Sequence, residues 1–348
     1  MQRAKRLTLG DTVALVNPAG MPPERFRKFL PLMENYLLEE GFKVKKYLAP
    51  ADANSKELAK TFTAAWTDHD VRALFPICGS ELIYDVISNL HSEDLLRPII
   101  FCGSSTLSAL SLWIMQQTKT VTFFGPHLPF IHSRAPQREN EFTIQSFWDM
   151  LMWKKGRTKR ITTVHERHHF FQVDPDGETA FISNIYERPD LISDARRKDI
   201  SFASNSSGML IGKTTLVTLG VLTEMLARNL LVPLDGCILF TEIMEWHLDK
   251  IEQMLIKVLS HRLLSGIHGV YLTSFTERTD RNEKLFLELL DQPKIIALCE
   301  KLSALIGIPV IYGFPLGHCA YKLTLPQGID TEVDLGHGSL VLLQKPLL

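Results

Sequence analysis

Three side chains that could act together in nucleophilic catalysis stand at the ends of apolar, strand-like segments. Ser105 follows Ile-Ile-Phe-Cys-Gly-Ser, Glu242 ends Cys-Ile-Leu-Phe-Thr-Glu, and His318 follows Pro-Val-Ile-Tyr-Gly-Phe-Pro-Leu-Gly. A nucleophilic serine needs an imidazole that takes its proton, and the imidazole needs a carboxylate that orients it. Residues of these three types in the order Ser–Glu–His suggest nucleophilic attack on a carbonyl, although spacing alone does not establish it.

The segment around Ser105 runs from a buried strand through a sharp turn directly into an apolar helix. At that turn, free backbone N–H groups and the helix dipole can stabilise an oxyanion. The pattern resembles a nucleophile elbow, but G-x-S-x-G is broken because Leu107 stands where the second glycine belongs. Each residue also has a plainer interpretation: Ser105 as a helix N-cap, Glu242 as a cap of the next helix, and His318 as a hydrogen-bonded loop histidine.

The segment His-Glu-Arg-His-His (165–169) matches the zinc-protease pattern H-E-x-x-H. That chemistry requires a helix, whereas the flanking residues favour β structure, and Pro175 and Gly177 follow closely. On a strand, His165 and His168 would face opposite sides. A solvated, charged β-edge is therefore the preferred interpretation, and zinc-dependent hydrolysis is kept as an alternative.

The segment Gly-Met-Leu-Ile-Gly-Lys-Thr-Thr (208–215) suggests a phosphate-binding P-loop. The motif needs glycine where Ser207 stands, and the preceding residues are polar instead of forming a buried strand. We therefore expect a turn here, before a helix that begins near Leu216.

The composition narrows the class of protein without identifying its chemistry. The 348 residues have a formal net charge of −1, which argues against nucleic acid or an anionic membrane as a partner of the whole chain. The five cysteines are scattered without metal or disulfide spacing, which predicts reduced thiols and a cytoplasmic location. Residues 1–9 are basic and polar and lack an apolar signal core.

The elements that must position these residues alternate between strands and helices over the first 150 residues, which predicts a mostly parallel sheet with helices on both faces. Such sheets bind ligands at the carboxyl ends of their strands. Strand-like segments occupy 12–17, 42–48, 71–77, 97–103 and 121–125, and helix-like segments occupy 26–37, 81–90 and 107–117. Beyond them we expect helices at 216–230 and 245–264, strands at 237–242, 269–275 and 309–314, and a β-rich tail.

The change in composition near residue 155 predicts two domains. We place an N-terminal domain at 1–160, an approximate linker at 161–174 and a C-terminal α/β domain at 175–348.

Taken in order, these segments resemble the serine peptidases that comprise the LD-carboxypeptidases and the microcin C immunity peptidases. The separation of Gly79 from Ser105 resembles the microcin C immunity branch more closely. The matching segments span nearly the whole chain: 10–20, 71–87, 101–106, 122–126, 234–242, 308–318 and 323–328.

The resemblance implies a Rossmann-like N-terminal domain and a smaller, β-containing C-terminal domain, with the active site between them. It also implies that Ser105 is the nucleophile, His318 its base and Glu242 the orienting acid. The backbone N–H groups of Gly79 and Thr106 would form the oxyanion hole. Members of the family use no metal or other cofactor and are usually homodimers.

The resemblance leaves the substrate open between the L,D-peptide bond of a murein tetrapeptide and the amide of a peptidyl- or aminoacyl-nucleotide of the microcin C type. Thr106 replaces an aspartate of the family pattern, Ser104 a tyrosine and Cys78 a glycine, while Gly212-Lys213-Thr214 stands for Gly-Gly-Asn. These departures keep a second possibility open, a relative that binds such ligands but hydrolyses them weakly or not at all.

Overall fold

The computed structural model describes residues 1–22, 24–27, 29–127, 137–153, 171–173, 180–182, 208–244, 248–277, 287–288, 292–312, 316–318, 322–335 and 339–348. The segment 165–169 lies outside these residues, so both interpretations of it stay predictions. Most of the expected linker at 161–174 also lies outside the described residues, so it too stays a prediction.

Residues cluster into two compact units. The first contains Met1–Trp153, and two short segments from the end of the chain, Thr324–Gly328 and Pro346–Leu348, belong to it as well. The second contains Lys154–Leu323 and Ile329–Lys345. Local sequence patterns do not indicate that these two short segments return to the first unit.

Strands and helices alternate along the part of the chain before residue 153. In chain order they are β1 (Thr12–Val16), α1 (Glu24–Arg27), α2 (Phe29–Glu39), β2 (Lys43–Tyr47), α3 (Ser55–Thr67), β3 (Val71–Pro76), α4 (Leu82–Ile87), β4 (Ile100–Phe101), α5 (Leu107–Thr118), β5 (Thr122–Phe124) and α6 (Gln137–Met152).

The remaining elements are mainly strands. They are β6 (Phe171–Val173), β7 (Ala180–Ile182), β8 (Met209–Thr218), α7 (Leu219–Ala227), β9 (Cys237–Met244), α8 (Leu248–Leu259), β10 (Gly269–Glu277), β11 (Leu287–Glu288), α9 (Gln292–Ile306), β12 (Val310–Tyr312), β13 (Leu325–Gln327), β14 (Asp330–Asp334) and β15 (Ser339–Leu342). No helix in the described ranges is both long and apolar enough to cross a membrane.

The first unit is built on a parallel four-stranded sheet in the order β2–β1–β3–β4, which confirms the predicted α/β class. The chain steps from β1 outward to β2 and then returns to β3 on the other side of β1. Such a switch point opens a crevice at the carboxyl ends of the two central strands. β5 continues from β4 through a parallel bridge between Cys102 and Phe123, and it pairs antiparallel with β13.

The core of the first unit is rich in aromatic rings. Phe147 packs edge-on against Trp148, and Phe42 stacks on the same indole at 5.1 Å between ring centroids. Trp148 Nε1 donates a hydrogen bond of 2.7 Å to the buried hydroxyl of Tyr36, so the polar atom of the indole is satisfied in the core.

The second unit contains a mixed sheet in the order β11–β10–β9–β8–β14–β15–β7–β6, with β12 also pairing with β10. β8, β9, β10 and β12 run parallel, whereas β14, β15, β7 and β6 form an antiparallel flank. Glu242 thus lies on a strand with parallel neighbours on both sides.

The predicted helix at 216–230 is wrong in its first residues, and the turn expected at 208–215 is also wrong. Residues 209–218 form strand β8, and helix α7 begins only at Leu219. Threonine and valine between 214 and 218 favour a strand, and the apolar run that suggested a helix is buried and pairs with β9. Lys213, the lysine of the P-loop-like segment, pairs with Asp330 at 2.8 Å.

Candidate active site

Ser105 lies in a strained turn between β4 and α5. Its φ is +55°, in the left-handed region that residues other than glycine rarely adopt. The turn is closed by Leu107 N–H, which donates to Ser104 O at 3.1 Å, and by Ser108 N–H, which donates to Ser105 O at 2.9 Å. A strained strand-to-helix turn of this kind exposes the serine hydroxyl in a nucleophile elbow.

Gly79, in the loop after β3, passes directly against Thr106. A Cβ atom placed on Gly79 would lie 2.4 Å from Thr106 Oγ1, which is closer than real Cβ atoms come to other atoms. The Thr106 hydroxyl is buried, and it has no hydrogen-bond partner among the described residues. The two backbone segments expected to form the oxyanion hole are therefore neighbours, and glycine at 79 permits this approach.

Two side chains of the loop after β3 hold the loop after β1. Ser80 Oγ donates to Ala19 O at 2.6 Å, and Cys78 Sγ donates to Gly20 O at 3.1 Å. Burial raises the pKa of the Cys78 thiol to about 12, so the thiol is neutral at physiological pH. Cys78, at a position where the family pattern has glycine, thus holds a loop and is not a thiolate nucleophile.

His127 is a residue of this region that the sequence analysis missed. Its buried imidazole follows β5, and Nε2 lies 3.2 Å from Ser104 N and 3.1 Å from Ser104 O. The carboxyl ends of neighbouring parallel strands meet at one edge of a sheet. A histidine directly after a strand was therefore a signal in the sequence that could have identified His127.

In the second unit, Glu242 and His318 are in direct contact. Glu242 Oε2 accepts hydrogen bonds from His318 N–H at 2.7 Å and from the imidazole Nδ1–H at 2.9 Å. Glu242 Oε1 accepts a bond of 2.6 Å from the hydroxyl of Thr218, at the end of β8. With its proton on Nδ1, a neutral His318 has its basic lone pair on Nε2, as a general base requires.

The environment of Glu242 keeps its carboxylate charged although the side chain is fully buried. Burial alone would raise the pKa of Glu242, but the charge of His318 and the hydrogen bonds from His318 and Thr218 together lower it below its ordinary value. A charged carboxylate at this point can stabilise an imidazolium.

Gly317 gives His318 its access to the carboxylate. Its φ is +99°, and a Cβ atom there would lie 1.8 Å from Glu242 Oε2. Only glycine both adopts this backbone conformation readily and leaves room for the carboxylate.

Each unit brings some of the expected site residues together. The first unit places Ser105 next to Thr106 and Thr106 against Gly79, and the second pairs Glu242 with His318. No group of three or more His, Cys, Asp or Glu side chains is placed to hold a metal ion within the described part of the chain.

Two family models match the chain, and together they span most of it. The LD-carboxypeptidase N-terminal domain matches residues 13–125, and the LD-carboxypeptidase C-terminal domain matches residues 207–333.

Individual relatives match over nearly their full length. A Streptomyces coelicolor protein with a provisional carboxypeptidase name is 25% identical over 365 residues, covering 99% of this chain and 97% of that protein. The microcin C7 self-immunity protein MccF of Escherichia coli is 22% identical, covering 99% of this chain and 96% of that protein.

Solved structures show the same fold. MccF in complex with aspartyl sulfamoyl adenosine aligns with a TM-score of 0.74 at 18% identity, with 100% of both chains covered. Muramoyltetrapeptide carboxypeptidase from Oxalobacter formigenes aligns with a TM-score of 0.67 at 19% identity, covering 95% of this chain and 97% of that one.

Proposed function

The chain belongs to the LD-carboxypeptidase family, and from this we propose that it is a serine-type hydrolase that cleaves an amide in a small peptide-like substrate. The observation that carries the proposal is the Glu242–His318 pair. The carboxylate accepts a hydrogen bond from Nδ1–H of His318. This bond fixes the tautomer in which Nε2 is free to act as the base for a serine nucleophile. The strained backbone of Ser105 supports the same reaction.

In the proposed mechanism, Ser105 Oγ attacks the carbonyl carbon of the scissile amide while His318 Nε2 takes the hydroxyl proton. Glu242 stabilises the resulting imidazolium, and the backbone N–H groups of Gly79 and Thr106 donate to the oxyanion. The tetrahedral intermediate collapses, the C–N bond breaks, and His318 gives its proton to the leaving amine. Water then attacks the acyl-enzyme with His318 again acting as base, which releases the acid and restores Ser105.

Two substrate classes follow from the relatives. One structural neighbour is named a muramoyltetrapeptide carboxypeptidase, and another is in complex with aspartyl sulfamoyl adenosine. We therefore propose that the substrate is either the L,D-peptide bond of a murein tetrapeptide or the amide of an aminoacyl- or peptidyl-nucleotide. The second candidate function is a relative that binds such ligands with weak or no turnover. It is favoured by Thr106 and Cys78, which depart from the family pattern.

A cytoplasmic location, a homodimeric state and activity without a metal or other cofactor are further parts of the proposal. Sizing of the purified protein tests the dimer. Retention of activity after treatment with a chelator tests the independence of metal, and it also bears on the zinc alternative at 165–169.

The central test compares wild type with Ser105→Ala, His318→Ala and the matched control Ser104→Ala, which removes the neighbouring hydroxyl of the same turn. Each protein is treated with a serine-directed fluorophosphonate and assayed in parallel on murein tetrapeptide and on an aminoacyl sulfamoyl adenosine. We expect labelling and turnover in wild type and Ser104→Ala and their loss in the other two variants. Equal labelling of Ser105→Ala would refute the nucleophile. Specific labelling without turnover of either substrate would favour the ligand-binding relative.

A further inference from the structure

The imidazole of His127 contacts the residue that precedes the proposed nucleophile. Nε2 lies 3.2 Å from Ser104 N and 3.1 Å from Ser104 O, and the side chain is only 6% exposed. His127 has no part in the proposed proton transfers, so its contact with the turn calls for another explanation.

One ring nitrogen cannot accept from Ser104 N–H and donate to Ser104 O at the same time. Ser104 O already accepts from Leu107 N–H at 3.1 Å, so it does not need His127 as a donor. The Ser104 N–H lies in a partly buried turn and would lose Nε2 as its acceptor if Nε2 carried the proton. The favoured state is thus a neutral imidazole with its proton on Nδ1 and with Nε2 accepting from Ser104 N–H.

This contact supplies a restraint that the strained turn needs. A residue other than glycine keeps a positive φ only when its surroundings hold it there. On the helix side, Ser105 O accepts from both the N–H and the hydroxyl of Ser108, at 2.9 and 2.5 Å. On the strand side, Gly103 N–H donates to Phe123 O of β5 at 3.1 Å. His127, which follows the same strand, holds Ser104 between these two points.

We propose that His127 is a positioning residue for Ser105. By accepting the Ser104 N–H, it fixes the peptide that leads into the nucleophile and keeps the Ser105 backbone in its left-handed conformation. The inference rests on the proposed role of Ser105 as the nucleophile, and it deepens that proposal by adding β5 to the elements that build the site.

The test uses the full chain with His127→Leu, which removes the acceptor at similar volume, and His127→Gln, whose Oε1 can replace Nε2. The fluorophosphonate is the probe, and its maximal labelling rate constant and half-saturating concentration are measured well below the thermal midpoint of every variant. We expect His127→Leu to lower the rate constant by about 10- to 100-fold with the half-saturating concentration nearly unchanged. His127→Gln should restore most of the rate. A purely structural role would lower the thermal midpoint without this pattern.

Four outcomes separate the possibilities. A folded His127→Leu variant that labels at the wild-type rate overturns the inference, and so do equal losses in the Leu and Gln variants. If His127→Leu does not fold, His127→Asn replaces it, because its shorter amide cannot reach Ser104 N–H; equal rates for Asn and Gln then overturn the inference. Wild-type labelling of Ser105→Ala would instead overturn the proposed function itself.

Discussion

At the scale of single residues, Glu242 combines complete burial with a charged carboxylate. Three hydrogen bonds, two from His318 and one from Thr218, together with the charge of His318, hold its pKa below the ordinary value of 4.5 despite burial. A group whose pKa is lower in the folded than in the unfolded state stabilises the fold at any pH above its unfolded value. That stability is lost as the pH falls through the depressed folded value.

Replacement of Glu242 by Gln should separate charge from hydrogen bonding, because the amide oxygen can keep both bonds from His318. We expect labelling at neutral pH to fall by about 10²- to 10⁴-fold, since a neutral amide does not stabilise an imidazolium. The stability difference from wild type should be largest above pH 4.5 and should shrink as the pH is lowered below it. Thermal midpoints from neutral pH downwards measure this difference. The exposed Glu81→Gln variant is the matched control, and a difference for Glu242→Gln that is independent of pH would contradict the prediction.

The approach of Gly79 to Thr106 yields a second prediction at this scale. Gly79→Ala places a methyl group 2.4 Å from Thr106 Oγ1, so the loop or the turn must shift, and the labelling rate should fall by about 10- to 100-fold. In Gly79→Ala/Thr106→Ala the clashing hydroxyl is absent, and the nearest remaining Thr106 atom, Cβ, is at an ordinary 3.8 Å. The double variant should therefore recover most of the rate.

Thr106→Ala alone is the control for this double-mutant cycle. Because its hydroxyl is buried without a partner in the described structure, the variant should be as stable as wild type or slightly more stable. If the effects of the two single substitutions on the labelling rate simply add in the double variant, the clash with Thr106 Oγ1 is not the cause of the loss in Gly79→Ala.

At the scale of elements, the sequence predicted several strands near the candidate site correctly, but it did not predict the full extent of β8. Strands β1, β3 and β9 were expected because apolar runs are bounded by turn residues, and the structure confirms them. Part of β8 is wrongly predicted as a helix, because a short buried apolar run has no period that separates helix from strand. The segment forms a strand because it pairs with β9 and β14. Pairing between segments that are distant in the chain cannot be recognised from the local sequence.

Among the site residues, local patterns were sufficient for Ser105, Glu242 and His318 as candidates, because each follows or ends an apolar segment. The contact of His127 with Ser104 was not predictable in this way, since it joins two strand ends 23 residues apart in the chain. The need for Gly317 was equally hidden, because it depends on a carboxylate 75 residues earlier in the chain.

Gly317, next to His318, provides a prediction with an internal control. Gly317→Ala forces a methyl group to within 1.8 Å of Glu242 Oε2, so we expect the Glu242–His318 contact to break and labelling to fall on the order of 100-fold or more. Gly307, which follows α9, also has a positive φ, +71°, but nothing lies within 4 Å of its added Cβ. Gly307→Ala should cost only about 1–2 kcal/mol of backbone strain and leave labelling unchanged. Similar labelling rates in the two variants would contradict the prediction.

At the scale of the whole molecule, the chain closes its first unit with its own last residues. Leu348 N–H donates to Ala4 O, Arg6 N–H donates to Leu348 O, and β13 pairs with β5. The local sequence does not reveal this closure, because a terminal Pro-Leu-Leu has no periodicity and the backbone hydrogen bonds of Leu348 join it to residues more than 300 positions earlier in the chain. The side chain of Leu347 is buried at 1% exposure, whereas its neighbour Leu348 is 65% exposed.

These two adjacent leucines allow the closure to be measured. Leu347→Ala removes buried methyl groups and should lower the free energy of unfolding by about 2–5 kcal/mol, whereas Leu348→Ala keeps its backbone hydrogen bonds and should change it by less than about 0.5 kcal/mol. Denaturation followed by tryptophan fluorescence reports mainly on the first unit, because four of the five tryptophans belong to it: Trp66, Trp113, Trp148 and Trp153. If the end of the chain were a dispensable tail, the two variants would unfold at the same denaturant concentration. A selective loss in Leu347→Ala would instead show that the buried side chain of Leu347 stabilises the unit that contains Ser105.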